Sequence, residues 1–215
     1  MIDPTKIQPT VHGTWIRSLS QALRELYTFT TGGTSIDVQL PIQGYPYVID
    51  EETVAAGGAD YVEFTWTAAQ YKGLSVEFNL LPETDGVDFY VQFYIAGALE
   101  VGAADFEWTT GTIDPTPGDT PRGDASDSEI QLLGQTAAGN ASGEGFAGSF
   151  RIDSQEVRPK LAGVGHLVIT TGAGRTVYFS GSYIGGAGAC TGVRITPSSG
   201  QVAAGSYVAL IGRIA

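Results

Sequence analysis

Alternation of apolar and polar residues between positions 61 and 95 constrains the fold of this chain more than any other feature. Every second side chain is apolar from Val62 to Trp66, from Leu74 to Leu80 and from Val87 to Ile95. Because successive side chains of a β-strand point to opposite faces, a period of two predicts strands with one buried face. Strands of this kind are typical of antiparallel sheets.

Segments of similar character continue to the C-terminus. Strands are predicted at Phe106–Thr109, Glu129–Leu133, Phe146–Asp153, Leu167–Thr171, Arg175–Ser180, Thr191–Thr196 and Ser206–Gly212. The 30 glycines and the charged fraction of only 16% also suit short strands joined by tight turns. About ten such strands predict an all-β fold, an antiparallel β-sandwich.

Two connections complete this prediction. Gly73–Leu81 and Val87–Ile95 are separated by five residues, so they are predicted to form a hairpin. Gly111–Ser128 contains three prolines and four aspartates, and it is predicted to be a long exposed loop.

The first 33 residues follow a different pattern. Between residues 14 and 27 the apolar side chains recur at spacings of three and four, at Trp15, Leu19, Ala22, Leu23 and Leu26. This spacing predicts a short α-helix over 14–27, in an N-terminal attachment segment (1–33) that precedes a sandwich domain (34–215). An isolated helix of this length is marginal in water. Its apolar stripe therefore packs either on its own domain or on another subunit or assembly.

Residues that carry chemistry are scarce. The two histidines, His12 and His166, are more than 150 positions apart, and Cys190 is the only cysteine. A buried cysteine most often serves as a small hydrophobic residue. The chain contains no catalytic or nucleotide-binding motif and cannot form an intrachain disulfide. We therefore expect a protein that is not an enzyme.

Paired carboxylates are the remaining route to catalysis, because a glycosidase needs only two of them across a groove. Candidates include Glu63, Glu77, Asp85 and Asp88. With 23 acidic residues in 215, however, accidental neighbours are unavoidable, and solvation of the surface is the expected role. The net charge of −12 and the absence of a basic cluster argue against nucleic acid as a partner.

Two sets of residues are candidates for binding. Asp119, Asp124 and Asp127 offer oxygen ligands of the kind that Ca²⁺ prefers, although their spacing does not match an EF-hand. Otherwise they belong to an acidic loop, and no cofactor is expected. Tyr90 and Tyr94 fall on the polar face of their strand, where aromatic rings can stack on a sugar or cover a neighbouring subunit. Cross-strand pairing within the sheet is the alternative.

The N-terminus and the hydropathy pattern bear on location. Residues 1–4 lack the basic and apolar regions of a secretory signal, and no apolar run reaches the roughly 18 residues that span a bilayer. We expect synthesis in a host cytoplasm, with no membrane insertion.

The C-terminal residues carry a resemblance to a known family. Gly192-Val193-Arg194-Ile195 leads into Ser198-Ser199-Gly200, followed by Gly205-Ser206-Tyr207 and Leu210-Ile211-Gly212. Two alternating segments around a Ser-Gly turn predict a hairpin. This stretch resembles the closing hairpin of jelly-roll domains in virion proteins of tailed bacteriophages, with Ile211 in place of the usual aromatic residue. Tyr71–Ile95 is similar to an earlier strand pair of those domains.

The resemblance implies a jelly-roll body and a structural role in a virion, most simply as a tail fibre or appendage subunit. A capsid decoration protein is an alternative. The implied partners are other virion proteins, copies of the chain itself (a trimer if it is a fibre) and a host surface glycan. A carbohydrate-binding module, or a glycan hydrolase of sandwich fold, is a rival from a different class.

Overall fold

The computed structural model describes residues 29–31, 34–36, 46–67, 71–113, 121–134, 137–154 and 158–214. The chain divides into two units, residues 1–42 and 43–215. The predicted helix over 14–27, with Trp15, Leu19, Ala22, Leu23 and Leu26, lies outside the described residues. The predicted all-β class is confirmed, since none of the described residues is helical.

The described residues form fifteen strands. In chain order they are β1 (Phe29–Thr31), β2 (Thr34–Ile36), β3 (Tyr47–Thr53), β4 (Val62–Thr65), β5 (Tyr71–Leu80), β6 (Phe89–Ile95), β7 (Ala98–Leu99), β8 (Phe106–Ile113), β9 (Arg122–Asp127), β10 (Ile130–Gln131), β11 (Gly145–Asp153), β12 (Lys160–Val168), β13 (Gly174–Tyr183), β14 (Cys190–Pro197) and β15 (Tyr207–Ile214). In the first unit, β1 and β2 pair with each other in antiparallel register.

The second unit contains two antiparallel sheets. The larger has eight strands in the order β3-β15-β5-β11-β12-β13-β8-β9. The smaller has the order β10-β6-β14-β4, and β7 pairs with β6 outside that path. Their inward side chains form one buried cluster, so the two sheets make the predicted sandwich.

The strand pairing within the sandwich is that of a jelly roll. In this unit the first strand β3 pairs with the last strand β15, and β4 pairs with β14. Further inward along the chain, β5 pairs with β11 and β6 pairs with β10. These four pairs describe a chain folded back on itself and then rolled up, which is the jelly-roll arrangement. The remaining strands β8, β9, β12 and β13 extend the larger sheet.

Both hairpins predicted from the sequence are wrong. β5 lies in the larger sheet and β6 in the smaller one, and β14 and β15 are separated in the same way. The connections instead cross between the sheets, and they pair with one another. The Ala203 amide donates to the Leu81 carbonyl at 2.7 Å, and Val202 exchanges two backbone bonds with Ala59 of the connection between β3 and β4. These contacts satisfy backbone groups that a hairpin would have paired locally.

The core residues predicted from the alternation are confirmed. Phe64, Trp66, Val76, Phe78, Phe89, Val91 and Phe93 are all buried. Their strands belong to both sheets, so the apolar faces meet in the middle of the sandwich. Further rings join them from β11 and β13, where Phe146 and Phe179 lie edge to face at 6.1 Å between ring centroids.

The prediction of a long exposed loop over 111–128 is wrong in part. Residues 111–113 complete β8, and β9 pairs with that strand along the edge of the larger sheet. Residues 114–120 lie outside the described part of the chain. β9 has no apolar face because it is an exposed edge strand, and for that reason alternation could not reveal it.

Candidate functional site

A hydrogen-bonded group of polar side chains lies on the outer face of the smaller sheet. Alternation turns Glu63 of β4, Tyr94 of β6 and Arg194 of β14 away from the core. In the register of the sheet, Arg194 stands opposite Glu63 on one side and Gln92 on the other. The central strand β14 thus places its only cation between two polar neighbours.

Glu63, Tyr94 and Arg194 form a closed network of hydrogen bonds. The Arg194 guanidinium donates to Glu63 Oε2 from Nε at 2.8 Å and from Nη2 at 2.6 Å. The Tyr94 hydroxyl donates to the same oxygen at 2.5 Å and accepts from Arg194 Nη2 at 2.8 Å. Charge-assisted bonds of this kind are roughly twice as strong as bonds between neutral groups.

Tyrosine rings hold the guanidinium in place. Arg194 Cζ lies 3.9 Å from the centre of the Tyr61 ring and 5.7 Å from that of Tyr94. Tyr94 also covers Gly192, where an added Cβ would lie 2.9 Å from the ring carbon Cδ2. Tyr61 remains 41% exposed, so its ring and the guanidinium form a patch that is open to solvent.

The network keeps its charges near neutral pH. Burial opposes ionisation of Glu63, but bonds from Tyr94 and Arg194 outweigh it and lower the pKa of the carboxyl. Burial and the hydrogen bond to Glu63 raise the pKa of Tyr94, so its hydroxyl stays protonated. Chemically, this patch is a positioned ion pair flanked by two phenols. It suits recognition of a polar surface better than proton transfer, because each group is already engaged.

Tyr90 lies on the same face, where it interacts electrostatically with two carboxyl groups, Asp88 and Glu129. Its neighbour Asp88 is half-buried just before β6 and accepts backbone N–H bonds from Phe89, Leu133 and Gly134 at 2.7, 2.9 and 3.1 Å. Burial raises the pKa of Asp88 to about 7 against the effect of these donors. Glu129 lies close enough to interact electrostatically, and burial with the charge of Asp127 raises its pKa to about 7.

The carboxylates considered for a glycosidase are not brought together as a pair. Glu63 lies on the outer face of the smaller sheet, whereas Glu77 of β5 lies on the outer face of the larger sheet. Asp88 accepts its three backbone donors, and Asp85 accepts the Asn140 backbone N–H at 2.9 Å. These positions give the four carboxylates separate structural surroundings.

Cys190 and His166 occupy distant environments. Cys190 is fully buried, as predicted, and burial raises the pKa of its thiol to about 12. His166 is exposed on β12 in the other sheet. His12 lies outside the described residues.

Two of the three aspartates proposed as calcium ligands are described, and both lie on β9. Asp124 accepts the Ser126 amide at 2.9 Å, and Asp127 accepts the Trp108 indole at 3.0 Å. Asp119 lies outside the described residues. Within the described ranges, no three His, Cys, Asp or Glu side chains are grouped to hold a metal ion.

A second candidate surface is a groove on the outer face of the larger sheet. It has a volume of about 910 Å³ and crosses β5, β11, β12, β13 and β8 near one end of these strands. Small residues form its floor, among them Ala162, Ser180 and Gly181. Charged side chains lie around it, namely Arg151, Asp153, Lys160 and Glu107.

Sequence reasoning identified Tyr94 and Glu63 separately but missed Tyr61 and Arg194 as their partners. The network joins residues that are up to 131 positions apart, so only the register of β14 with its neighbours shows it. The groove was missed for the same reason.

Comparison of the chain with protein-family models, with curated proteins and with solved structures finds no match. In the described part of the chain, no helix has the length and apolar character needed to cross a membrane.

Proposed function

We propose that this chain is a non-enzymatic structural component of a tailed-phage virion, most simply a tail fibre or appendage subunit that displays its jelly roll outward. The observation that carries the proposal is the strand pairing, in which β3 to β6 pair with β15, β14, β11 and β10. Jelly rolls are a common architecture of viral structural proteins. A fold alone does not determine function, so the residues must support the same role.

The C-terminal residues that resemble phage virion proteins support it by their sequence, although they do not pair as the predicted hairpin. They form β14 and β15, which occupy interior positions in the two sheets. Each of these strands pairs with neighbours on both sides, β14 with β4 and β6, and β15 with β3 and β5. The similar residues therefore belong to the framework of the jelly roll.

The predicted N-terminal segment supplies attachment in this proposal. The stripe from Trp15 to Leu26 would bind symmetry mates in a fibre, or the capsid shell if the chain is a decoration protein. Capsid decoration is the alternative location. Replacing Leu19 and Leu23 together by Asp would place charges within that stripe, so we expect the variant to fold but not to enter particles.

Antibody labelling of particles tests the proposal. Antibodies against the purified protein are bound to phage particles from a culture that expresses the chain, and gold-conjugated secondary antibodies are imaged by electron microscopy. Gold on the tail or its appendages supports the fibre role, and gold spread over the head supports decoration. Particles without gold, alongside particles labelled by an antibody to a known coat protein, would contradict a virion role.

A carbohydrate-binding module is the second candidate, and the patch of Tyr61, Tyr94 and Arg194 favours it. An exposed ring beside fixed donors and acceptors is an arrangement that can stack on a sugar and bond its hydroxyls. Binding to a panel of immobilised bacterial glycans tests this role. Loss of binding in Tyr61→Ala, with Tyr207→Ala as an exposed control, would favour the module.

A further inference from the structure

Apolar side chains are exposed on the outer face of the larger sheet where β11, β12, β13 and β8 lie side by side. Val164 of β12 is 51% exposed, and its cross-strand partner Tyr178 of β13 is 41% exposed. Ile113, at the end of β8, is 62% exposed. We call the outward side of these four strands the neutral face. An exposed patch of this kind commonly marks a site of interaction.

The neutral face also lacks acidic residues at its centre. Residues 43–215 contain twenty Asp and Glu against eight Lys and Arg. The outward positions in the middle of the four strands nevertheless contain no Asp, Glu, Lys or Arg. They are Ala147, Ser149, Ala162, Val164, His166, Thr176, Tyr178, Ser180, Thr109 and Gly111. Depletion of charge with a tyrosine near the centre is the composition found at the core of protein–protein interfaces.

The Tyr178 ring fills the space above a glycine near the centre of this face. It stands opposite Gly111 in the register of β13 with β8. A Cβ on Gly111 would lie 2.2 Å from Tyr178 Oη and 2.3 Å from Cζ, so the ring lies along the sheet and covers the glycine. The flat side of the ring therefore faces an approaching surface. Because its contact with Gly111 already fixes the ring, binding would cost little side-chain entropy.

Charges of both signs lie at one end of the neutral face. Arg151 and Lys160 stand near Asp153 and Glu107 around the groove described above. Within the described part of the chain, neither Arg151 nor Lys160 makes an ion pair. Ser182 Oγ donates to Glu107 at 2.5 Å, which leaves the second carboxylate oxygen available. A rim with both signs is self-complementary, as an interface between two copies of one surface requires.

The area of the face is that of a small protein–protein interface. β11, β12, β13 and β8 are strands of eight to ten residues. At about 4.8 Å between strands and about 3.3 Å per residue, they span roughly 570 Å². A standard interface buries about 800 Å² of each partner, and weak complexes bury less, so the face suits a weak dimer. A copy of a chain with a net charge of −12 approaches most easily where the centre of each surface carries no carboxylate.

We propose that the neutral face is the docking surface for a second copy of this chain, packed sheet against sheet with the Val164 and Tyr178 regions at its centre. This inference goes beyond the proposed function, since it concerns the folded chain itself and holds for a protein inside or outside a virion. The charged groups around the groove form the polar rim, and the uncharged strands form the buried centre.

Sedimentation equilibrium of the full chain at about 1–100 μM tests this. We expect the wild-type mass to be an even multiple of the protomer mass. Val164→Glu should halve that mass, or weaken the association at least tenfold, because it places a carboxylate in the buried centre of both copies. Val101→Glu is the matched control, since Val101 is 62% exposed in the loop between β7 and β8, outside the four strands of the face, and it should leave the mass unchanged.

Ile113→Glu provides a second variant at the edge of the same face, and near-UV circular dichroism checks that each variant is folded. A wild-type chain that is monomeric at 100 μM would overturn the proposal. So would folded Val164→Glu and Ile113→Glu variants whose mass equals that of the wild type. If Val164→Glu abolishes binding to a glycan panel without changing the mass, the face binds sugar and not a second copy.

Discussion

Gly163 on β12 allows two aromatic side chains to pack beneath the larger sheet, and Gly163→Ala measures how tightly they do so. Gly163 stands between Phe150 and Phe179 in the register of the sheet. An added Cβ would lie 2.5 Å from the Ser149 carbonyl oxygen, 2.6 Å from Phe150 Cβ and 2.6 Å from Phe179 Cζ. The first two atoms belong to the backbone or lie next to it, so they cannot move aside cheaply.

Overpacking of this kind costs about 1–3 kcal/mol. Replacing glycine also restricts the unfolded chain, which offsets about 0.4–1 kcal/mol of that cost. We expect Gly163→Ala to lower the free energy of unfolding by about 1–2 kcal/mol. At about 2–4 °C per kcal/mol for a chain of this size, Tm should fall by about 2–8 °C.

Urea unfolding followed by tryptophan fluorescence measures this change, because Trp66 and Trp108 are buried and report on both sheets. Gly186→Ala is the matched control. An added Cβ there meets only the Tyr183 hydroxyl, at an ordinary contact distance of 3.6 Å, so its stability should stay within about 0.5 kcal/mol of the wild type. If Gly163→Ala is as stable as Gly186→Ala, the aromatic packing against β12 is not as described.

Three further variants test other parts of the account. Phe89→Ala should cost about 3–5 kcal/mol in urea unfolding, because Phe89 is fully buried between the sheets, and a cost below about 1 kcal/mol would mean that its strand faces the other way. Arg194→Lys should lower the free energy of unfolding by about 1 kcal/mol, because lysine loses the two hydrogen bonds to Glu63 and the stacking on the Tyr61 ring. Arg213→Lys, at an exposed position, is the control and should cost almost nothing. Glu129→Gln should flatten the decline in stability between pH 4.5 and 7. The pKa of Glu129 is raised in the fold to about 7, so the stability that its protonated carboxyl contributes is complete below pH 4.5 and is lost as the pH rises through 7. A pH profile unchanged by the substitution would argue against this raised pKa.

The faces of the strands were predictable from the sequence, but their partners were not. Alternation identifies which side of Phe64, Phe78 and Phe89 is buried, because that depends only on the period of the side chains. It does not distinguish a hairpin from a connection that crosses between sheets. β5 and β6 alternate as a hairpin would, yet the jelly roll separates them.

The same limit applies to the candidate site. Tyr94 was predictable as an outward aromatic residue. Its contacts with Glu63 and Arg194 depend on β14 lying between β4 and β6, which follows from the global winding of the chain. The neutral face likewise depends on β12, β13 and β8 being neighbours. β9 escaped prediction because an exposed edge strand needs no apolar residues.

Quantitative mass spectrometry of purified phage particles tests the virion proposal most directly. Particles from a culture that expresses the chain are banded in a density gradient, and the copy number of the chain is measured against isotope-labelled standard peptides. The account predicts that the chain bands with the particles at a fixed number of copies, which is a multiple of three if it forms a fibre. A chain that remains at the top of the gradient, while the coat and tail proteins band normally, would contradict it.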